Sequence, residues 1–195
     1  AKKIGTNIDK LIIASNLNDI LHRTFLTGRY LKDKVYRTHS PSMDIQVSSN
    51  FERLLYHIYE DPKIVIKQME QLNSEGFYEI ECSDLNKLKE DFLSGVATEE
   101  ETLIEISSVY KKLDLAICPH TAVGTFVSRK FLNKSKVMIT LATAHPSKFI
   151  DSVQSAVGKA IAQPIEMKQL YSKTERVIFA PNEVNFYKEY INKES

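Results

Sequence analysis

The sequence predicts an α/β fold, a mostly parallel sheet flanked by helices, and three observations lead there. Short strand candidates at 11–14, a run of β-branched type, at 77–80 and at 115–117 alternate with amphipathic stretches of helical period. Residues 137–142 are almost unbroken apolar, the pattern of a strand buried on both faces of a parallel sheet. The 195 residues, 43 % of them apolar and 26 % charged, have the balance of a globular protein rather than a disordered one. At that length folding buries roughly 70 % of the surface of the unfolded chain.

The elements follow in order. Gly5 and Asn7 read as the C-terminal stop of a helix that begins before Ala1, so the chain is expected to be the later part of something longer. Leu11, Ile12, Ile13 and Ala14 form a strand, and Asn16 or Asn18 caps a helix over 20–26. Residues 27–44 lapse into a polar connection with Gly28 and Pro41 and with Arg29, Lys32, Lys34 and Arg37 nearly all of one sign. Ser49 and Glu52 have capping-box spacing. Behind them Phe51, Leu54, Leu55, Ile58 and Tyr59 share one helical face. Pro62 and Gly76 bracket the next helix, and 77–80 is a strand. Helices are expected over 83–93 and 98–113, the second with a capping box of Thr98 and Glu101. A strand at 115–117, a helix over 121–132, the strand at 137–142 and a helix starting near Pro146 complete the alternation. After Gly158 the pattern weakens, until a last amphipathic helix near 184–191.

Composition removes several functions. With 26 basic and 25 acidic residues the net charge is +1, so no global field draws nucleic acid or an anionic membrane. No apolar run reaches the 18 or so residues of a membrane span, and the start carries no signal-peptide pattern. Cys82 and Cys118 lack paired spacing and read as reduced thiols of a cytoplasmic protein. His22, His39 and His57 show no metal-ligand spacing, and no metal site is expected. The closest two of the six glycines, Gly76 and Gly95, are too far apart for a glycine-rich phosphate cradle. Glu99, Glu100 and Glu101 complement a helix dipole, and the basic residues at 29–37 are a solvated loop beside Ser40, Pro41 and Ser42 that could draw a phosphorylated small molecule.

Ligands of parallel sheets bind beyond the carboxyl ends of the strands. Two segments qualify: Leu141-Ala142-Thr143-Ala144-His145-Pro146 and Cys118-Pro119-His120-Thr121-Ala122-Val123-Gly124. Each delivers a Thr and a His to a helix start. By pattern alone, the threonines read as helix caps and the histidines as ordinary rim residues, in preference to a ligand site.

The stretch from Ser40 through Met43, Asp44, Ser49 and Asn50 to Leu54 resembles threonine synthase. So do Asn16-Leu17-Asn18-Asp19-Ile20 upstream and Pro119 to Gly124 and Thr143 to Phe149 downstream. The motifs occur in the family's order, and the resemblance covers essentially the whole chain as the family's C-terminal part. It implies a pyridoxal-phosphate enzyme with the fold of the tryptophan synthase β subunit, converting O-phosphohomoserine and water to threonine and phosphate. By matching motif, Thr143 would hydrogen-bond the pyridine nitrogen. Ser40, Ser42, Asp44, Ser49, Asn50 and Arg53 would line or support the substrate side, and His120 with Thr121 would close the rim.

The resemblance also implies that the Schiff-base lysine and the cofactor-phosphate loop lie upstream of Ala1, so this chain alone is expected to be inactive; Lys148 does not hold the lysine's position. Residues 1–158 would be an incomplete cofactor- and substrate-binding domain with an inserted helical segment around 42–113, followed by a helical tail over 159–195. A missing N-terminal half would leave an apolar surface prone to self-association. Two readings remain open at this point: the C-terminal portion of the enzyme, or a non-catalytic remnant with a partner surface.

Overall fold

The β-branched run near the start forms β1 (Leu11–Ser15), and its partner is a strand that the sequence conceals, β4 (Phe92–Val96). They pair in parallel, Leu11 opposite Phe92 and Ser15 opposite Val96, and the Ala97 N–H extends the ladder to Ser15 C=O at 2.9 Å. These relations come from a computed structural model that describes residues 2–194. The chain divides into two units, Ala1–Ala162 and Gln163–Ser195.

In the first unit a 3₁₀ turn at Lys2–Ile4 stops at Gly5, whose φ of +90° is left-handed. Then β1 leads into α1 (Ile20–Thr27) and β2 (Arg29–Leu31), and a loop with one 3₁₀ turn (Pro41–Met43) leads to α2 (Ser49–Tyr59). Next come α3 (Pro62–Glu75), β3 (Phe77–Glu79), α4 (Cys82–Asp91), β4, α5 (Glu99–Leu113) and α6 (Pro119–Arg129). A 3₁₀ turn at Pro146–Phe149 leads into α7 (Ile150–Val157). The α/β class therefore stands, with helices on a parallel pair. The segment 42–113 carries β3 and β4 as well as helices.

Three apolar clusters hold this unit. The largest joins α1, β2, α2, α3, β3 and α4 through Ile20, Phe25, Tyr30, Phe51, Leu55, Leu72, Tyr78 and Leu88. At its centre β2 and β3 pair antiparallel with Tyr30 opposite Tyr78, the rings stacked at 4.8 Å and 9°. Burial raises both phenol pKa values, Tyr78 further than Tyr30. A second cluster packs α5, α6 and α7 through Ile106, Val109, Ala122 and Val153. Here the nearly buried Glu105 carboxylate receives the Arg129 Nε–H at 2.8 and 3.0 Å, which fixes α6 against α5. The third seats α6 on the parallel pair through Ala97, Val123 and Val127, with Ile12 and Ala14 of β1 beside them.

Several expectations are corrected. The capping box of Thr98 and Glu101 forms as expected. The one at Ser49 and Glu52 does not, because α2 starts at Ser49; the half-buried Ser48 N–H, just before it, donates to the Tyr30 hydroxyl at 2.8 Å. Neither Asn16 nor Asn18 caps α1; Asp19 occupies that position, and its carboxylate takes the Arg23 Nε–H at 2.8 Å rather than capping a backbone amide. Residues 92 and 93 belong to β4 rather than to a helix, and β2 lies in what read as a loop. Residues 115–117 are irregular. So are 137–142, whose alternation places Val137, Ile139 and Leu141 at 90, 78 and 80 % exposure, and no strand among the described residues pairs with them. An apolar pattern reports what a segment is able to bury, whereas a strand needs a neighbour for its backbone.

In the second unit α8 (Ile165–Leu170) and α9 (Val184–Glu194) flank an irregular, exposed stretch. Within α9 the rings of Phe186 and Tyr190 stack at 6.5 Å.

Gly95 sits where α6 crosses β4, and a Cβ there would lie 2.8 Å from Val127 Cγ1. Gly95→Ala is expected to destabilise the chain by about 1–3 kcal/mol in urea unfolding. Adding Val127→Ala should cost less than the sum of the two single changes, because the cavity accepts the new methyl. Additive losses would contradict that packing.

Candidate functional site

The carboxyl ends of β1 and β4 point the same way, and a group of buried polar side chains, Asn16, Asn18, Ser40, His120 and Thr121, gathers near them. Asn16, the first residue after β1, is wholly buried. Its Nδ2 lies 2.8 Å from Thr38 Oγ1, 2.9 Å from Ser40 Oγ and 2.8 Å from Asp44 Oδ1. A carboxamide nitrogen has two hydrogens, so these acceptors share them. Asn16 Oδ1 takes the Asn18 N–H at 2.9 Å. The Asn18 carboxamide then clamps the loop, accepting the Tyr36 N–H at 2.8 Å and donating to Tyr36 C=O at 2.9 Å. The Asp44 carboxylate closes the network. Its Oδ1 accepts the Thr38 hydroxyl at 2.6 Å and Asn18 Nδ2 at 3.0 Å, and its Oδ2 accepts the Thr38 N–H at 2.9 Å.

The loop over 36–44 has little backbone ladder of its own, so these side-chain bonds hold it in place. Further ties run to the helices. The His39 N–H donates to Glu99 Oε2 at 2.7 Å, and His39 Nδ1 lies 2.9 Å from Ser152 Oγ, which joins the loop to the starts of α5 and α7. The Ser42 N–H donates to His120 Nε2 at 3.1 Å. Because Nε2 accepts, the proton of the neutral ring belongs on Nδ1, which is buried and has no hydrogen-bond partner. The ring is 8 % exposed and leans on Phe149, with centroids 4.6 Å apart.

At the start of α6 a thiol does the work of a cap. Cys118 Sγ accepts the Thr121 N–H at 3.4 Å, in a position where Ser, Thr, Asp or Asn is usual. The Thr121 hydroxyl lies 3.2 Å and the Thr143 hydroxyl 3.4 Å from the same sulfur. Thr121 Oγ1 also accepts the Thr143 N–H at 3.2 Å, so the segment 137–143 is pinned at its end by α6. Burial pushes the Cys118 pKa up. The His120 ring, the two threonine hydroxyls and the Thr121 amide outweigh it and bring the value down to about 5.

The structure thus gathers Ser40, Ser42, Asp44, His120, Thr121 and Thr143 into one connected region. Within it Ser40 and Asp44 are held inside the Asn16 network, and Thr143 is exposed at its edge. Ser49, Asn50 and Arg53 stand apart on the exposed start of α2, where the Arg53 guanidinium donates to Asn50 Oδ1. Sequence reasoning passed over Thr38, took Asn16 and Asn18 as caps, and set Cys118 aside. The signal for Cys118 was its position immediately before Pro119 at a helix start. Among the described residues no group of three or more His, Cys, Asp or Glu side chains is placed to hold a metal ion, and no helix is long and apolar enough to cross a membrane.

Comparison with known proteins adds to this geometry. Residues 121–191 match the family model described as threonine synthase, C-terminal. A curated threonine synthase of Pseudomonas aeruginosa is 37 % identical over 187 residues, which is 94 % of this chain and 40 % of that protein. The crystal structure of PLP-bound threonine synthase from Brucella melitensis superposes with a TM-score of 0.88 at 39 % identity, over 100 % of this chain and 42 % of that one. The threonine synthase structure from yeast gives a TM-score of 0.85 at 33 % identity, over 99 % of this chain and 43 % of that one. The chain spans about 40 % of the length of the curated relatives it matches.

The thiol value of about 5 in the folded chain, against an unfolded value of about 8.5, fixes a sign. Between those values the unfolded state holds the extra proton, so the contribution of Cys118 to stability grows with pH. It is full above about pH 8.5 and lost as pH falls through about 5. In urea unfolding, the stability of the parent relative to Cys118→Ser should rise from pH 5 to pH 9. A constant difference across that range would contradict the site's electrostatics.

Proposed function

The chain belongs to the threonine synthase family, and from that premise we propose that it acts as the C-terminal part of a pyridoxal-phosphate enzyme that converts O-phosphohomoserine and water to threonine and phosphate. The observation that supports this best is the exposed Thr143 hydroxyl, backed by Cys118 and Thr121 at the carboxyl-end crevice of the sheet. When bound, the cofactor supplies an electron sink for the carbanionic steps. The residues present suit its ring-nitrogen end: a neutral hydroxyl at an open edge, with the unpartnered Nδ1 of buried His120 close behind. We assign the cofactor phosphate and the Schiff-base lysine to an N-terminal part of the whole enzyme, since the glycines here are scattered singly. Lys148, in the 3₁₀ turn before α7, rests over the Phe149 ring instead.

On this reading Thr143 hydrogen-bonds the pyridine nitrogen. The Asn16 network fixes the loop so that Ser42 and His120 meet at the rim, with Thr121 behind them. Ser40 and Asp44 support the substrate side from below. On the first turns of α2, Ser49, Asn50 and Arg53 offer amides, a carboxamide and a guanidinium to an anionic group of the substrate. The bare Val137, Ile139 and Leu141 edge is where we place the N-terminal part, and where the chain alone would self-associate. We place the enzyme in the cytoplasm.

Thr143→Val keeps the shape and deletes the hydroxyl, whereas Thr143→Ser keeps it. In the complete enzyme, the loss of one buried hydrogen bond should weaken cofactor binding by about 1–3 kcal/mol for Val and far less for Ser. Equal affinity and turnover for Val and parent, at equal fold stability, would reduce Thr143 to a structural residue and favour a non-catalytic remnant.

A further inference from the structure

Among the groups that converge on Thr143, the Cys118 sulfur is the one that the proposed chemistry leaves without a task. It has no exposed surface, yet three hydrogen-bond donors surround it: the Thr121 N–H at 3.4 Å and the Thr121 and Thr143 hydroxyls at 3.2 and 3.4 Å. That amide is one of the free N–H groups in the first turn of α6, whose capping position Cys118 holds. His120, 8 % exposed, adds an imidazole whose buried Nδ1 has no hydrogen-bond partner. A buried atom so surrounded is used as an acceptor, and an acceptor decides which way a neighbouring hydroxyl points.

We propose that Cys118 is a positioning residue: its sulfur takes the Thr143 O–H, so that the lone pairs of Thr143 Oγ1 face the open edge and accept a proton-bearing ring nitrogen. This rests on the pairing of Thr143 with the pyridine nitrogen argued above. Thr121 serves both sides of the arrangement. It donates its hydroxyl to Cys118 and accepts the Thr143 N–H at 3.2 Å. Thr121 Oγ1 and the sulfur both lie 3.4 Å from the Thr143 hydroxyl, and the sulfur, gathering donors from both threonines, is the acceptor we assign to the Thr143 proton. The hydroxyl that faces the cofactor thus has a fixed polarity, although it carries no charge itself.

The test has two parts. In the chain as given, with Cys82→Ser to remove the second thiol, thiolate absorbance near 240 nm is followed against pH. The midpoint is expected well below the ordinary thiol value of about 8.5, and to move upward in Thr143→Val. A midpoint at the ordinary value, or one that Thr143→Val leaves unmoved, overturns the proposal. In the complete enzyme, cofactor affinity is then compared for Cys118→Ala and Cys118→Asp. Asp restores an acceptor-only group in a position where it also caps helices well. Ala should weaken binding about tenfold, while Asp should stay within about threefold of the parent. Equal losses for Ala and Asp overturn the proposal. If Thr143→Val costs affinity and Cys118→Ala does not, the role of Cys118 falls and that of Thr143 stands. If neither costs affinity, both fall. Should Cys118→Ala fail to fold, the thiolate titration and the Asp variant decide.

Discussion

One buried carboxamide sets the geometry of this end of the molecule. Asn16 leaves the parallel pair with its side chain inside the protein, where a polar group without partners costs about 1–3 kcal/mol. The partners of its nitrogen all come from one loop, Thr38, Ser40 and Asp44, so satisfying that donor and closing the loop are the same event. With the loop closed, the Ser42 amide reaches His120 and the His39 amide reaches Glu99. The starts of α5 and α6 are thereby referenced to the end of β1. Low local dielectric strengthens each bond and penalises any that is missing, which makes the network a strong constraint on loop position.

The second level of organisation is the start of α6. Helix starts usually take a hydroxyl or carboxylate cap, and a thiol caps more weakly while remaining able to ionise. Cys118 gathers two threonine hydroxyls from segments far apart in sequence, and Thr143 is thereby anchored although no strand pairing holds residues 137–142. The apolar clusters do the bulk packing below this layer. α6 belongs to two of them, through Ala122 with α5 and α7 and through Val123 and Val127 with the strands, so its N-terminus is held rigidly relative to both.

How much of this was legible in the sequence follows from the range of each signal. The helices α2, α3, α5 and α6 were readable because caps, Pro at the first turn and apolar periodicity act within one or two turns. β4 was hidden because Phe92 and Leu93 continue the apolar spacing of α4. In the fold Gly95 provides room for Val127, a contact between residues far apart in sequence. Residues 137–142 failed in the opposite sense, with a strong strand pattern and no strand partner among the described residues. Asn16 and Asn18 carry the donors and acceptors that a cap needs, so only the approach of Thr38 and Asp44 distinguishes a network from a cap. The threonines and His120 were found as candidates by their place at strand ends, while Cys118 was judged by cysteine spacing, which carries no information about a capping thiol.

The central claim is that side-chain bonds, rather than a backbone ladder, hold the loop that builds the site. Native-state hydrogen exchange at the amides of Tyr36, Thr38 and Ser42 tests it most directly, because their acceptors are Asn18 Oδ1, Asp44 Oδ2 and His120 Nε2. The account predicts slowing of these amides well beyond the amides of the exposed loop residues Val35 and Arg37, with the protection of Tyr36 and Thr38 lost together in one opening step. Exchange of all three at the rates of an unprotected loop would contradict it.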